Sequence, residues 1–356
     1  EIILRSNQFC NLSEIVVRPD DTLETLKSKA HIAAIIGTLQ ATLTDFRYLR
    51  SAWKRNTEEE ALLGVSMTGI MDHYLLSKGT SKDLGKWLEE IRDVAVETNK
   101  EWAGRLGINQ SAAITCVKPS GTVSQLVDSA SGIHPRFSKH YIRRVRSDKK
   151  DPLAIFMESQ GFPVEQDLMS QASAVFSFPV KAPETSVTVK QVGAMEQLQL
   201  WKTYQNHWCE HKPSITVYYT DDEFLQVAQW IWENFDLCSG ISLLPYSDHV
   251  YQQAPYEDID AEKYEELLAA MPVDVKWEDL EHFEKEDNTT GSQELACAAA
   301  NAGADTVPMR AAMTRVLNVL VIVNLLNSRF CLTNSALRAL VPQSEINSLH
   351  QKESTR

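Results

Sequence analysis

The segment Lys118-Pro-Ser-Gly-Thr-Val-Ser124 holds the residue types best suited to chemistry. Pro119 fixes the approach of the chain, Gly121 lets backbone come close to a ligand, and Ser120, Thr122 and Ser124 carry hydroxyls. If a helix starts there, its unpaired N–H groups and dipole complete an anion cradle. An ordinary capped helix after a turn would use the same residues, and no full Walker pattern is present. A second set is Glu1 with Cys10, a carboxylate and a thiol beside one polar stretch, able to act as base and reductant. Alone, such a pair is unremarkable, since most Glu are solvated and most lone Cys are packing residues. A third set is residues 134–146, HPRFSKHYIRRVR, where five Arg or Lys meet two His and two aromatics. That local reversal of charge reads either as an anion site or as a solvated basic strand.

These residues need elements to hold them. Residues 20–49 are expected as a helix capped at Asp21 or Thr22, with Leu26, Ala30, Ala33, Ala34 and Gly37 on one face. Residues 62–70 read as a buried strand ending in a Gly turn. Residues 81–106 form an amphipathic helix carrying Leu84, Trp87, Leu88 and Ile91. Residues 112–117 then give a short apolar strand running into the Pro-Ser-Gly-Thr turn. Further helices are expected at 151–161, 192–210 and 221–235, with strands at 174–180, 214–219 and 241–246. Strands alternating with helices predict an α/β fold with parallel pairing. Cys209 and Cys238 read as core thiols.

Composition narrows the classes. A formal net charge of -13 disfavours broad nucleic-acid or anionic-membrane binding, which needs a basic face. The six Cys are scattered without CxxC or His/Cys clusters, so neither a zinc site nor a disulfide scaffold is expected. The longest apolar run, residues 316–326, is too short to cross a bilayer as a helix. No signal peptide is expected and the thiols read as reduced and cytoplasmic. A chain beginning on Glu1 rather than Met reads as processed or as a fragment.

Several motifs occur in the order of one family. Glu1-Ile2 is followed by Cys10-Asn11-Leu12, then by Gly64-Val-Ser-Met-Thr-Gly-Ile70, Val117-Lys-Pro-Ser-Gly-Thr-Val123, Gly132-Ile-His134 and Ile241-Ser-Leu-Leu-Pro-Tyr246. Gln252-Gln-Ala-Pro255 and Glu294-Leu-Ala-Cys297 complete the series. Over residues 1–298 the chain resembles the class II, adenosylcobalamin-dependent ribonucleotide reductases, closest to the monomeric ribonucleoside-triphosphate reductase type. The resemblance implies the second half of a ten-stranded α/β barrel of the ribonucleotide reductase and glycyl-radical type. It also implies reduction of ribonucleoside triphosphates by a cobalamin-generated thiyl radical, with electrons from a thioredoxin-like reductant.

Carried onto this sequence, Glu1 would be the base that takes the 3′-hydroxyl proton and Cys10 one of the reducing cysteine pair. Ser120, Gly121 and Thr122 would hold the substrate phosphates. Tyr141, Arg144, Arg146, Tyr251 and Gln252 would contact adenosylcobalamin, and Cys297 would open the redox shuttle. No metal ligands are implied. The implied organisation is a barrel portion over 1–250 with a cobalamin-contacting region near 138–190, a cobalamin and shuttle segment over 251–298, and an atypical extension over 299–356. That extension matches nothing in the family pattern and is expected to dock weakly.

The sequence also departs from the pattern. The radical Cys-Gly that should precede Glu1, the second reducing Cys, and a second shuttle Cys soon after Cys297 are not found in it. The chain is therefore expected to work only with a missing N-terminal half. The alternatives are a non-catalytic nucleotide- or corrinoid-binding remnant, a split-gene subunit, and an unrelated α/β enzyme with a phosphate-binding turn.

Overall fold

The structure, a computed structural model, describes residues 2–246 and 251–285. In chain order the elements are β1 (Asn11–Val16), α1 (Leu23–Gln40), α2 (Ser51–Glu60), β2 (Leu63–Thr68), α3 (Lys82–Leu106), the single turn α4 (Val123–Leu126) and β3 (His140–Asp148). There follow α5 (Pro152–Ser159), β4 (Val164–Gln166), β5 (Ser173–Lys181), α6 (Ala194–His207), β6 (Thr216–Tyr219) and α7 (Phe224–Glu233). Last come β7 (Ser242–Pro245), β8 (Tyr256–Asp258), α8 (Ala261–Ala269) and the short α9 (Leu280–Phe283). The described residues divide into two compact units, one built from 2–143 with 179–265, the other from 144–178 with 266–285. These divisions cut the chain at places that the expected boundaries near 250 and 298 do not mark.

In the first unit two pairs of strands run parallel. β1 pairs with β2 in the register Leu12↔Gly64, Glu14↔Ser66 and Val16↔Thr68, and β6 pairs with β7. Parallel bridges at Val65↔Thr115 and Val117↔Pro213 carry the hydrogen bonding from β2 through residues 115–117 to the chain just before β6. This is the parallel α/β pairing that the alternation predicts. β2 is buried throughout, as expected of a strand covered on both faces.

Helix α1 covers one side of β1. Thr22 accepts from the Thr25 N–H and Thr25 reaches back to Thr22, a reciprocal cap that fixes the start. Leu26, Ala30, Ala33, Ala34 and Gly37 are all buried, as their spacing predicts. The helix stops at Gln40 rather than running to 49. Past it the Thr42 hydroxyl and N–H both turn back to the Leu39 carbonyl, and Thr44 N–H bonds the Thr42 carbonyl, so short polar residues compete with helix. Trp201, Tyr204 and Trp208 of the α6 region are fully buried in the core shared by these elements.

Pairing elsewhere is antiparallel, which the alternation did not predict. In the first unit β3 meets β8 through Tyr141↔Asp258 and Arg143↔Tyr256. In the second unit β4 meets β5 through Val164↔Phe176, around a small core of Ala154, Ala174 and Phe176. Phe156 there contacts Trp277 and Phe283. Among the described residues no helix is long and apolar enough to cross a membrane.

Candidate functional site

Side chains alternate along β1, so Ser13 and Ile15 are buried on the α1 side while Cys10, Leu12 and Glu14 share the opposite face. The Ser13 hydroxyl bonds the Ala33 carbonyl in α1. On the other face the partner strand offers Gly64 and Ser66. A Cβ at Gly64 would sit 2.4 Å from Leu12 Cδ2 and 3.2 Å from Cys10 Sγ, so this glycine makes the room the thiol occupies.

The Pro-Ser-Gly-Thr turn is tied to this face at two points. Lys118 N–H donates to Ser66 Oγ at 2.9 Å, and Ser120 Oγ donates to Glu14 Oε2 at 2.8 Å. Ser124 N–H in turn donates to Ser120 Oγ at 3.1 Å. Gly132, at φ +56°, closes against the start of the turn, and a Cβ there would lie 2.4 Å from the Lys118 carbonyl oxygen. The backbone N–H groups of Gly121, Thr122 and Val123 make no hydrogen bond among the described residues, and nothing lies within 4 Å of a Cβ at Gly121. Gly121 and Thr122 are exposed and Val123 is half-buried, so these unpaired donors lie at the surface of the turn. The helix that follows is a single turn, so the donors themselves rather than a long helix dipole define the cradle.

Electrostatics sharpen the picture. Burial pushes the Cys10 thiol up to about 12, with Lys118 pulling the other way. Burial also pushes Glu14 up to about 7, against the Ser120 hydrogen bond and the Lys118 charge. Cys10 is thus a thiol rather than a thiolate at neutral pH, and Glu14 is poised near half-ionised.

The outgoing end of the same loop is held by a buried ion pair. Arg136 meets Asp72 at two points, Nε to Oδ1 at 3.0 Å and Nη2 to Oδ2 at 2.9 Å, and reaches Asp128 through Nη1 at 2.9 Å. Ala130 N–H and Ser186 Oγ fill the remaining positions on the Asp72 carboxylate. His134 accepts from Thr216 N–H through Nε2 and its Nδ1 faces the Ser131 carbonyl, while burial lowers its pKa. These two members of the basic stretch are structural, so the anion-site reading of 134–146 fails for them.

Of the sequence-predicted residues, Cys10, Ser120, Gly121 and Thr122 come together around Glu14 and Lys118. Glu1 and Cys297 lie outside the described residues, as does the 299–356 extension. Tyr141 is 2% exposed, with Arg136 Nη1 at 3.4 Å from its hydroxyl, so it is a core residue of the first unit. Tyr251 and Gln252 are exposed. Arg144 and Arg146 belong to the second unit, where Arg146 pairs with Asp167 at 3.4 Å. Sequence reasoning missed Glu14, although it lies on the same strand alternation as Cys10, and gave Ser66 and Lys118 no role of their own within the motifs that contain them.

Parallel strands thus deliver a thiol, a carboxylate and a hydroxyl-bearing turn to one face. By sequence and by fold, the chain is similar to part of the class II, cobalamin-dependent ribonucleotide reductases. An adenosylcobalamin-dependent ribonucleoside-triphosphate reductase of Lactobacillus delbrueckii subsp. bulgaricus is 26% identical over 332 residues, spanning 82% of this chain and 44% of the relative. The enzyme of the same name from Euglena gracilis is 30% identical over 278 residues, spanning 76% and 37%. A crystal structure of a B-12 dependent (class II) ribonucleotide reductase superposes with a TM-score of 0.69 at 25% identity, over 81% of this chain and 43% of that one. The chain thus spans less than half the length of these relatives. No protein-family model matches it.

Proposed function

We propose that this chain is the part of an adenosylcobalamin-dependent ribonucleotide reductase that holds the substrate's phosphates and supplies one reducing thiol. The observation that carries the reading is the juxtaposition of three N–H donors at Gly121, Thr122 and Val123, unpaired among the described residues, with the Glu14 face that also bears Cys10. Preorganised backbone donors bind an anion without reorganising, which suits a triphosphate. Gly121 lets the phosphates reach those donors, and the Ser120 and Thr122 hydroxyls supplement them. Cys10, kept protonated by burial, can deliver hydrogen together with reducing equivalents, and Lys118 moderates the charge when the thiol ionises. A second cysteine, a thioredoxin-like dithiol and Glu1 as base complete the proposed chemistry.

The relatives' cofactor is adenosylcobalamin, and we extend that dependence to this chain as part of the proposal. The five residues assigned to it do not make one cradle in either unit: Tyr141 is committed to the core, and the others divide between an exposed pair and the second unit.

The test is complementation in trans. The chain is mixed with the N-terminal half of a relative, adenosylcobalamin, a ribonucleoside triphosphate and a dithiol. Deoxynucleotide formation that disappears with Cys10→Ser is expected. Triphosphate binding without any turnover would leave a nucleotide-binding remnant instead.

A further inference from the structure

Glu14 has no part in the chemistry proposed above, yet its carboxylate reaches into the phosphate turn from β1. A carboxylate beside a polyanion site is unfavourable, because like charges a few ångströms apart repel and the repulsion grows as water is excluded. The hydrogen-bond inventory adds a second conflict. Ser120 has one O–H, and it is donated to Glu14 at 2.8 Å, while Ser120 Oγ already accepts from Ser124 N–H. With Glu14 ionised, the hydroxyl of the turn is turned away from any ligand.

Protonation reverses that bond. A neutral Glu14 donates its own O–H to Ser120 Oγ across the same 2.8 Å, and the Ser120 hydroxyl hydrogen is released to point elsewhere. The surroundings favour this exchange. Facing Glu14 from the neighbouring strand is Ser66, and from the turn come Lys118 and Ser120. Lys118 is the one charged group acting on Glu14 among the described residues, and it also acts on Cys10 of the same strand face. Helix α1 packs on the opposite side of β1, against Ser13. Burial holds the carboxyl up at about 7, so either protonation state is accessible at physiological pH.

We infer that Glu14 is a positioning residue for Ser120: docking of a triphosphate at residues 120–123 draws one proton from solvent onto Glu14, which releases the Ser120 hydroxyl to the phosphates. The inference rests on the reading of that turn as the phosphate site. It makes triphosphate binding proton-linked, in a direction set by reciprocity: if the complex holds the proton, raising the pH weakens the complex.

The experiment is isothermal titration calorimetry of the full chain with CTP at pH 6.5 and 8.5. Two buffers of different ionisation enthalpy at each pH give the number of protons taken up. Wild type is expected to bind CTP roughly twentyfold more weakly at pH 8.5 than at pH 6.5, beyond the ligand's own titration, and to take up close to one proton at the higher pH. Glu14→Gln, whose amide donates permanently to Ser120, is expected to bind at pH 8.5 as wild type does at pH 6.5, without the uptake. If Glu14→Gln keeps the wild-type proton uptake and pH slope, the inference is overturned while the phosphate site stands. If wild type binds CTP at neither pH, the phosphate-turn reading fails and takes this inference with it. Should the variant not fold, difference infrared spectroscopy of wild type decides. CTP must then convert a carboxylate band into a carboxylic-acid band, and no such conversion refutes the switch.

Discussion

Two acidic groups, Asp72 buried and Glu14 half-buried, fasten the same loop, and they differ in how completely they are satisfied. At the outgoing end, the Asp72 carboxylate accepts from Arg136 twice, from Ala130 N–H and from Ser186 Oγ. Its side chain and that of Arg136 are 2% and 3% exposed, so nothing further can reach them. At the incoming end, Glu14 accepts from the Ser120 hydroxyl and feels one lysine. The first arrangement leaves no hydrogen-bonding position open and works as a pin. The second retains hydrogen-bonding capacity and a protonation state near balance, which is what a ligand can act upon. Burial of charge marks structure when every lone pair is occupied, and marks a candidate site when some are not.

The comparison can be broken most decisively at the pin. Arg136→Met leaves Asp72 buried without its partner and is expected to cost about 3–5 kcal/mol in urea unfolding. A loss below about 1 kcal/mol would mean the pair is not what holds the loop. At the other end the sign is opposite. Glu14 ionises near 4.5 when unfolded and near 7 when folded, so the native state binds more protons between those values and loses stability as pH rises through them. Glu14→Gln is therefore expected to stabilise the chain by roughly 1–3 kcal/mol at pH 8 and by little at pH 4. Equal effects at both pH values would contradict a carboxyl held near neutrality.

Cys10 offers a chemical version of the same contrast. With its thiol pushed up to about 12, alkylation by iodoacetamide at pH 8 should run roughly thirtyfold slower than for an unstructured cysteine peptide, after allowing for the greater nucleophilicity of a more basic thiolate. A rate equal to the peptide's would show that burial does not govern it. The smallest effect is expected at Ser66→Ala. This change removes the 2.9 Å acceptor for Lys118 N–H and should cost about 1 kcal/mol. It should weaken CTP binding while leaving its pH slope intact, since Glu14 is untouched.

Much of the first unit was legible in the sequence. The α1 and α3 faces, the buried β2 and the Pro-Ser-Gly-Thr turn follow from apolar spacing and turn chemistry, which local rules read well. The site face did not. Asn11, Ser13 and Glu14 make β1 look like a polar loop, because one of its faces serves the site and Ser13 on the other spends its hydroxyl on a helix carbonyl. Helix α2 escaped notice because it is polar nearly all round, with Thr57 its only buried residue. The pairing of β3 with β8 was invisible because Tyr256–Asp258 is too short to display an alternation. Arg136 looked like part of an anion site because charge in sequence does not reveal a partner 64 residues away.

The parallel bridges also carry a temporal meaning. Joining β1 to β2 closes a modest loop: Asn11 reaches the Leu62 carbonyl across 51 residues. Joining the strand at 115–117 to the chain before β6 closes a longer one, since Glu210 meets Ile114 across 96 residues. That longer loop contains the whole excursion Arg144–Phe178 into the second unit. Lengthening a loop in this way adds only about 0.6 kcal/mol per doubling, yet non-local parallel contacts form slowly. During synthesis β1, α1, β2 and α3 can therefore assemble first. The Pro-Ser-Gly-Thr turn then hangs from a half-finished sheet until residues 210–219 arrive to close its far side.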